Sequence, residues 1–230
     1  MVDVAANCRE VLERIGKAAS RSGRNPTEIR LLAASKSQSV DKIQAAIEAG
    51  VRLFGENYVQ EAEAKRSAVG GSVEWHMIGH LQRNKARMAL DLFDLIQTLD
   101  SVELARALDK EGKKKKRVVR AFVEVNLAAE ESKSGVARGR VAGLLEEIGK
   151  LPYIRIEGLM AVPPYRDKPE EIRPYFCALR ELRDELKTLN APNVDLRELS
   201  MGMTHDYPVA IEEGATLVRI GTAIFGPRSG

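Results

Sequence analysis

The sequence predicts a parallel (β/α)8 barrel, an α/β fold, in a single domain that spans residues 1–230. Three observations favour this fold. Short apolar runs alternate with amphipathic stretches along the chain, eight such runs can be counted, and 230 residues suffice for one substantial core. An open doubly wound sheet remains the alternative, because periodicity does not show that a sheet closes. No Gly-x-Gly-x-x-Gly follows the first run, which removes the main argument for a dinucleotide-binding sheet.

The elements follow one another in a regular order. An extra amino-terminal helix is predicted from Val4 to about Ser22, where apolar residues recur every three or four positions. Ile29 to Ser35 is a nearly continuous apolar run, the pattern of a strand buried on both faces. The other predicted strands lie near residues 52, 75, 95, 120, 155, 196 and 217. Predicted helices follow the first seven strands at 40–49, 57–68, 84–90, 101–112, 138–150, 169–189 and 207–213.

The composition excludes several classes of protein. The chain is 44% hydrophobic and 30% charged, and no apolar run approaches the roughly 18 residues that span a bilayer, so no membrane partner is expected. The amino-terminal segment has no basic leader followed by an apolar stretch, which predicts the absence of a secretory signal and a cytoplasmic location. Cys8 and Cys177 are far apart and in no Cys-x-x-Cys spacing, so we interpret them as packing residues.

Charge and histidine spacing give little support for nucleic-acid or metal binding. The net charge is only +3, and the single basic run, 113–117, is interpreted as the solvated end of a helix that stops at Gly112. The alternative is an interaction module for nucleic acid or protein built on that run. His76 and His80 are four residues apart, but they lie on a predicted strand without accompanying Cys or carboxylate ligands, so no metal site is expected.

Polar residues at the carboxyl ends of the predicted strands are the candidate site, because barrels gather their functional groups there. Lys36 comes directly after the first strand. A lysine in that position is partly withdrawn from water, which favours the neutral amine that can attack a carbonyl. The alternative interpretation is a solvated loop lysine.

The ends of the last two predicted strands have the features of a phosphate site. Gly221 and Thr222 can offer backbone N–H groups and a hydroxyl, since glycine lets the backbone approach an anion closely. Ser200 and Gly202 end the preceding strand and could close the same site, at the position where barrels commonly bind phosphate. The alternative interpretation is that these residues only form turns.

Seven sequence blocks, in order and spread over nearly the whole chain, carry a family resemblance. They are similar to the signature blocks of the YggS/PROSC pyridoxal phosphate homeostasis proteins. The blocks are ASK at 34–36, FGENYVQE at 54–61, WHMIGHLQRNK at 75–85, SKSG at 132–135, GLM at 158–160, LSMGMT at 199–204 and VRIGTAIFG at 218–226.

The resemblance implies a barrel similar to the amino-terminal domain of alanine racemases, which is fold type III among pyridoxal 5′-phosphate (PLP) proteins. It implies that Lys36 binds PLP as an internal aldimine and that Asn57 lies beside the ring. It further implies that the ring nitrogen faces Arg219 and that the phosphate is held by Ser200, Gly221 and Thr222. The chain departs from the family at Gln38, where members commonly carry a second basic residue, so a role for that residue in cofactor hand-off is not expected here.

An arginine at the ring nitrogen favours carriage of the cofactor over catalysis. Arginine is always charged and cannot accept a proton, so the ring nitrogen stays unprotonated and the ring is a weakened electron sink. Racemases also use a second acid or base from an extra domain, which we expect to be absent because the chain ends at Gly230. We therefore predict no catalytic residue and a cytoplasmic monomer that stores, carries and releases PLP, with PLP-dependent apo-enzymes as recipients. The alternative is a small fold type III enzyme such as an amino-acid racemase.

Overall fold

The computed structural model describes residues 2–70, 73–128, 130, 134–189 and 191–227. Ser132 and Lys133 of the SKSG block lie outside the described residues. In chain order the strands are β1 (Arg30–Ala34), β2 (Leu53–Glu56), β3 (Glu74–Met77), β4 (Leu95–Leu99), β5 (Val119–Asn126), β6 (Val136–Ala137), β7 (Ile154–Met160), β8 (Val194–Met203) and β9 (Leu217–Ile220).

Eight of these strands form a closed parallel barrel. They follow one another in the order β1, β2, β3, β4, β5, β7, β8 and β9, and a parallel pairing of β9 with β1 closes the ring. Closure confirms the predicted barrel and excludes the open sheet. The two-residue β6 pairs with β5, outside the ring.

Helices surround the barrel. They are α1 (Val4–Arg21), α2 (Val40–Glu48), α3 (Val59–Val69), α4 (Ala86–Leu92), α5 (Val102–Lys115), α6 (Val141–Ile148), α7 (Arg173–Leu186), α8 (Tyr207–Glu212) and α9 (Thr222–Phe225). The extra helix α1 confirms the sequence prediction and packs against α2, α8 and α9. Among the described residues, no helix has both the length and the apolar composition that crossing a membrane requires.

Two predicted boundaries are wrong for identifiable reasons. Gly112 does not end α5, which continues to Lys115 and ends at Lys116 in a left-handed conformation. Gly112 is instead buried, and a Cβ there would lie 2.8 Å from the carbonyl oxygen of Arg117. The predicted helix at 169–189 is a single 3-10 turn at 169–172 followed by α7, which has Pro174 in its first turn.

The basic run is partly neutralised within the chain. Lys114 pairs with Glu111 and Lys115 with Asp91. Exposed pairs of this kind contribute little stability. They do neutralise positive charge that a nucleic-acid-binding surface would need.

Alternation along the strands determines which side chains enter the barrel. Six buried apolar side chains from six different strands form one cluster, which only the barrel interior can bring together: Leu32, Leu53, Leu95, Phe122, Met160 and Leu217. Ala34 packs against this cluster. Because successive side chains alternate between faces, Lys36 continues the inward series of Leu32 and Ala34. The fold therefore directs Lys36 towards the mouth of the barrel.

Two glycines provide a matched test of close strand packing. A Cβ on Gly158 in β7 would clash with the carbonyl oxygen of Glu198 in β8, whereas Gly143 on α6 has open space around it. We predict that Gly158→Ala lowers the free energy of unfolding by about 1–3 kcal/mol through overpacking, whereas Gly143→Ala raises it by up to about 1 kcal/mol through helix propensity. Urea unfolding of the two variants measures this. A Gly158→Ala midpoint equal to that of the unsubstituted protein would contradict the packing argument.

Candidate functional site

Lys36 stands at the carboxyl end of β1, between β2 and β9. Ala34 pairs with Gly55 of β2, and Ala33 pairs with Ile220 of β9. Gly221 and Thr222 directly follow β9, so they lie on the neighbouring strand at the level where β1 ends. A small pocket is lined by Ala34, Lys36, Gln38, Gly221, Thr222 and Gly226. The structure thus brings together three of the predicted site residues, Lys36, Gly221 and Thr222, and Lys36 is half-buried.

A buried ion cluster holds the backbone on the amino-terminal side of Lys36. The Lys65 ammonium of α3 donates to the carbonyl oxygen of Ser35 at 2.6 Å, to Glu56 at 2.9 Å and to Glu61 at 2.6 Å. The Ser35 hydroxyl donates to Glu56 at 2.6 Å. Burial raises the pKa of Glu56, and the hydrogen bonds from Ser35 and Lys65 oppose that rise. The cluster therefore ties the residue before Lys36 to both β2 and α3.

The residue after Lys36 has a strained backbone that the same cluster supports. Ser37 has a φ of +60°, in the left-handed region that residues other than glycine seldom adopt. Its N–H donates to Glu61, which also binds Lys65. Such strain persists only where surrounding contacts enforce it, and it concentrates at functional sites. Both peptide neighbours of Lys36 are therefore held through Lys65 and its carboxylate partners.

Arg219 is a buried cation inside the barrel, on the inward face of β9. Its guanidinium donates to the Ser200 hydroxyl at 2.6 Å and to the carbonyl oxygen of Ala161 at 2.9 Å. Burial lowers the pKa of Arg219 to about 10, against the attraction of the Glu124 and Asp206 carboxylates. The guanidinium is therefore still charged at neutral pH.

Ser200 lies apart from the pocket that Lys36, Gly221 and Thr222 line. It is fully buried on β8, and its hydroxyl accepts from Arg219 and donates to Gln97 Oε1 at 2.6 Å. The role of Ser200 in a phosphate site stays a prediction, since the structure commits its hydroxyl to the barrel interior.

Asn57 lines a separate cleft together with Met77, Gly79 and His80. By register it is the neighbour of Lys36, since each lies two residues beyond the paired Ala34 and Gly55. The Asn57 Oδ1 atom is buried and has no hydrogen-bond partner among the described residues. An unmatched buried polar atom of this kind is unfavourable unless a ligand or an ordered water satisfies it.

Glu124 is a buried carboxyl group that the sequence did not single out. It lies on β5, and its Oε2 atom has no hydrogen-bond partner among the described residues. Burial, reinforced by the nearby Asp100, raises the pKa of Glu124 to about 7, although Arg219 opposes the rise. Glu124 therefore titrates near neutral pH beside the most deeply buried cation of the site.

The departure at Gln38 is accompanied by a nearby cation. The Lys42 ammonium, on α2, donates to the Gln38 Oε1 atom at 3.0 Å and to the carbonyl oxygen of Phe225 at 2.9 Å. Gln38 itself lines the pocket with Lys36 and Thr222. The Lys42 ammonium therefore lies one hydrogen bond from Gln38, which lines the pocket, although position 38 itself carries no charge.

Sequence reasoning missed several residues because their roles depend on contacts across strands. Glu56 was visible as a polar residue at the end of the second strand, but its partner Lys65 was hidden in a helix pattern. Gln97 and His76 are polar residues at positions of predicted strands where alternation directs the side chain into the barrel. That alternation was the sequence signal that could have identified them. Among the described residues, no group of three or more His, Cys, Asp or Glu is arranged to hold a metal ion.

Comparisons with known proteins show the family and the fold of the chain. The family model for the alanine racemase N-terminal domain matches residues 7–229. The pyridoxal phosphate homeostasis protein of Aquifex aeolicus is 46% identical over 219 residues, 95% of each chain. PipY of Synechococcus elongatus PCC7942, solved with PLP bound, has a TM-score of 0.82 at 37% identity over 92% of this chain and 100% of its own. An alanine racemase of Clostridium difficile 630 shares the fold, with a TM-score of 0.76 at 14% identity over 98% of this chain and 58% of the racemase chain.

Removing Lys65 should destabilise the protein strongly. Lys65→Met leaves the fully buried Glu56 carboxylate without its cation, and breaking a buried pair in this way costs about 3–5 kcal/mol. Lys17→Met removes an exposed pair with Glu13 and should change the stability little, because water screens that pair. Adding Glu56→Gln to Lys65→Met should recover part of the loss. Urea unfolding measures all three, and a Lys65→Met variant as stable as Lys17→Met would contradict the role given to the cluster.

Glu124 should make stability depend on pH between 4.5 and 7. The native carboxyl keeps its proton up to about pH 7, whereas the ordinary value is 4.5, so the native state binds more protons in this window. Stability then falls as pH rises through it, by about 3 kcal/mol. Urea unfolding at pH 4.5 and 7.5 should show the unsubstituted protein losing about that much relative to Glu124→Gln. A difference between the two proteins that is the same at both pH values would contradict the assignment.

Proposed function

Since the chain belongs to the alanine racemase N-terminal domain family, and within it to the pyridoxal phosphate homeostasis proteins, we propose that residues 1–230 form one domain that binds PLP in the cytoplasm. The protein stores the cofactor on Lys36, carries it and releases it. The observation that supports this most directly is the position of Lys36 in a pocket shared with Gly221 and Thr222, above a buried Arg219.

The residues present fit the chemical groups of PLP. Lys36 offers an amine for the aldehyde. Gly221 and Thr222 offer backbone and hydroxyl groups for the phosphate, and the cation of Lys42 lies near that pocket. The buried Asn57 side chain, whose Oδ1 atom has no partner among the described residues, matches a polar substituent of the ring.

When bound, PLP supplies an aldehyde that condenses with a lysine amine to form a Schiff base and water, and an aromatic ring that withdraws electrons. The protein limits the second property. Arg219 has only donors and keeps its proton, and its pKa of about 10 leaves it charged at neutral pH. A ring nitrogen facing Arg219 would not receive a proton from it easily, so the electron-withdrawing capacity of the ring would stay low.

Carriage is therefore the function that the geometry supports best. We propose PLP-dependent apo-enzymes as the recipients and a monomer as the working unit. A second candidate is a small fold type III enzyme such as an amino-acid racemase. One observation favours it, since Glu124 has a pKa of about 7 and such a group can move protons at neutral pH.

Lys36→Ala should abolish the Schiff base with PLP. The protein mixed with PLP is expected to show the visible absorption band of a Schiff base, and Lys36→Ala is expected to lack it because the attacking amine is gone. Lys113→Ala, at an exposed position on α5, is the matched control and should keep the band unchanged. Absorption spectra after removal of unbound PLP measure the difference. A band of equal intensity in Lys36→Ala would show that another amine holds the cofactor.

A further inference from the structure

A continuous hydrogen-bond chain crosses the barrel interior from Arg219 to the opposite side. Arg219 contacts the Ser200 hydroxyl at 2.6 Å, and Ser200 contacts Gln97 Oε1 at 2.6 Å. Gln97 Nε2 lies 2.8 Å from His76 Nδ1, and His76 Nε2 lies 2.9 Å from Glu74 Oε1. The four hydrogen bonds join β9, β8, β4 and β3, so their residues come from separate parts of the sequence.

The two ends of the chain impose one direction on every bond. The Arg219 guanidinium can only donate, so it donates to the Ser200 oxygen, and the single hydroxyl proton of Ser200 is left for Gln97. Gln97 must therefore present its oxygen to Ser200 and its amide nitrogen to the next residue. This leaves one arrangement in which every proton in the chain has an acceptor.

His76 is accordingly a neutral imidazole with its proton on Nε2. Its Nδ1 atom has to accept from Gln97, which leaves Nε2–H to donate to Glu74. Burial lowers the pKa of His76, which agrees with the neutral form. The hydrogen bond from His76, together with Arg30 and Arg120, lowers the pKa of Glu74 to about 2, so Glu74 remains an acceptor.

Charged groups also fix the far end of the chain. Arg30 lies 2.5 Å and Arg120 3.1 Å from the Glu74 carboxylate oxygens. Glu157 in turn pairs with Arg120 at 2.9 Å. The chain therefore runs from an anchored carboxylate to the guanidinium of Arg219, and the second contact of Arg219, with the Ala161 carbonyl oxygen, holds its other nitrogen.

We propose that Glu74, His76 and Gln97 are positioning residues that orient Arg219 through Ser200, and so determine how tightly and in what electronic environment the protein holds PLP without touching it. This inference rests on the proposed function for its link to PLP. The orientation itself is a property of the protein without cofactor. The tautomer of His76 reports the direction of the hydrogen-bond chain, because only one of the two neutral forms of that ring fits it.

The test has one arm without cofactor and one with it. In the unsubstituted protein without PLP, long-range nitrogen–proton NMR should show His76 protonated on Nε2 and not on Nδ1. In the second arm, Gln97→Met keeps the buried volume but removes both hydrogen bonds of the Gln97 side-chain amide. It should weaken PLP binding about fivefold, the loss expected for one hydrogen bond between neutral groups, and shift the absorption maximum of bound PLP. Gln44→Met, at an exposed position on α2, is the control and should change neither.

The two arms separate failure of the inference from failure of the proposed function. A His76 ring that carries its proton on Nδ1, or on both nitrogens, at neutral pH would overturn the inference, and this arm needs no variant to fold. Unchanged affinity and absorption in a folded Gln97→Met protein would also overturn it. If the unsubstituted protein has the Nε2 form of His76 but does not bind PLP, the directed hydrogen-bond chain is supported. The proposed function of PLP binding is then overturned.

Discussion

The buried charge of Arg219 is the constraint on which the site depends. Withdrawing a guanidinium from water is costly unless hydrogen bonds and opposite charges compensate it. The Ser200 hydroxyl and the Ala161 carbonyl oxygen supply the direct contacts, and Glu124 and Asp206 attract the charge. Polar side chains therefore replace part of the apolar filling that such a barrel normally has, and their order is set by the need to give each proton an acceptor.

Lys36 and Arg219 are supported from opposite faces of the strands. The inward face carries Arg219, Gln97 and His76, which form the chain through the barrel. Ser35 and Glu56 are fully buried beside Lys65 of α3, between the barrel and its helices. Because alternate residues of a strand serve different layers, the lysine and the arginine have separate supports. A change in one network need not disturb the other, so their effects can be measured independently.

The sequence predicted the barrel, the extra helix and the family correctly, because these depend on patterns repeated along the chain. The placement of Lys36, Gly221 and Thr222 around one pocket also followed from the rule that strand ends meet at one face. The chain through Gln97 and His76 was not predictable in this way, because it depends on the register of four strands. The end of α5 was misjudged because Gly112 serves close packing against Arg117, which local sequence does not distinguish from helix termination.

We propose that the protein holds PLP without using it as a catalyst, because a charged Arg219 facing the ring nitrogen would leave the ring a weak electron sink. The most direct measurement incubates the PLP-loaded protein with a panel of L-amino acids and follows both exchange of the Schiff base by absorption and product formation by chiral chromatography. We expect amino acids to displace Lys36 from PLP while their configuration and identity stay unchanged. Racemisation or decarboxylation at an ordinary enzyme rate, about 1 per second or faster, would contradict it.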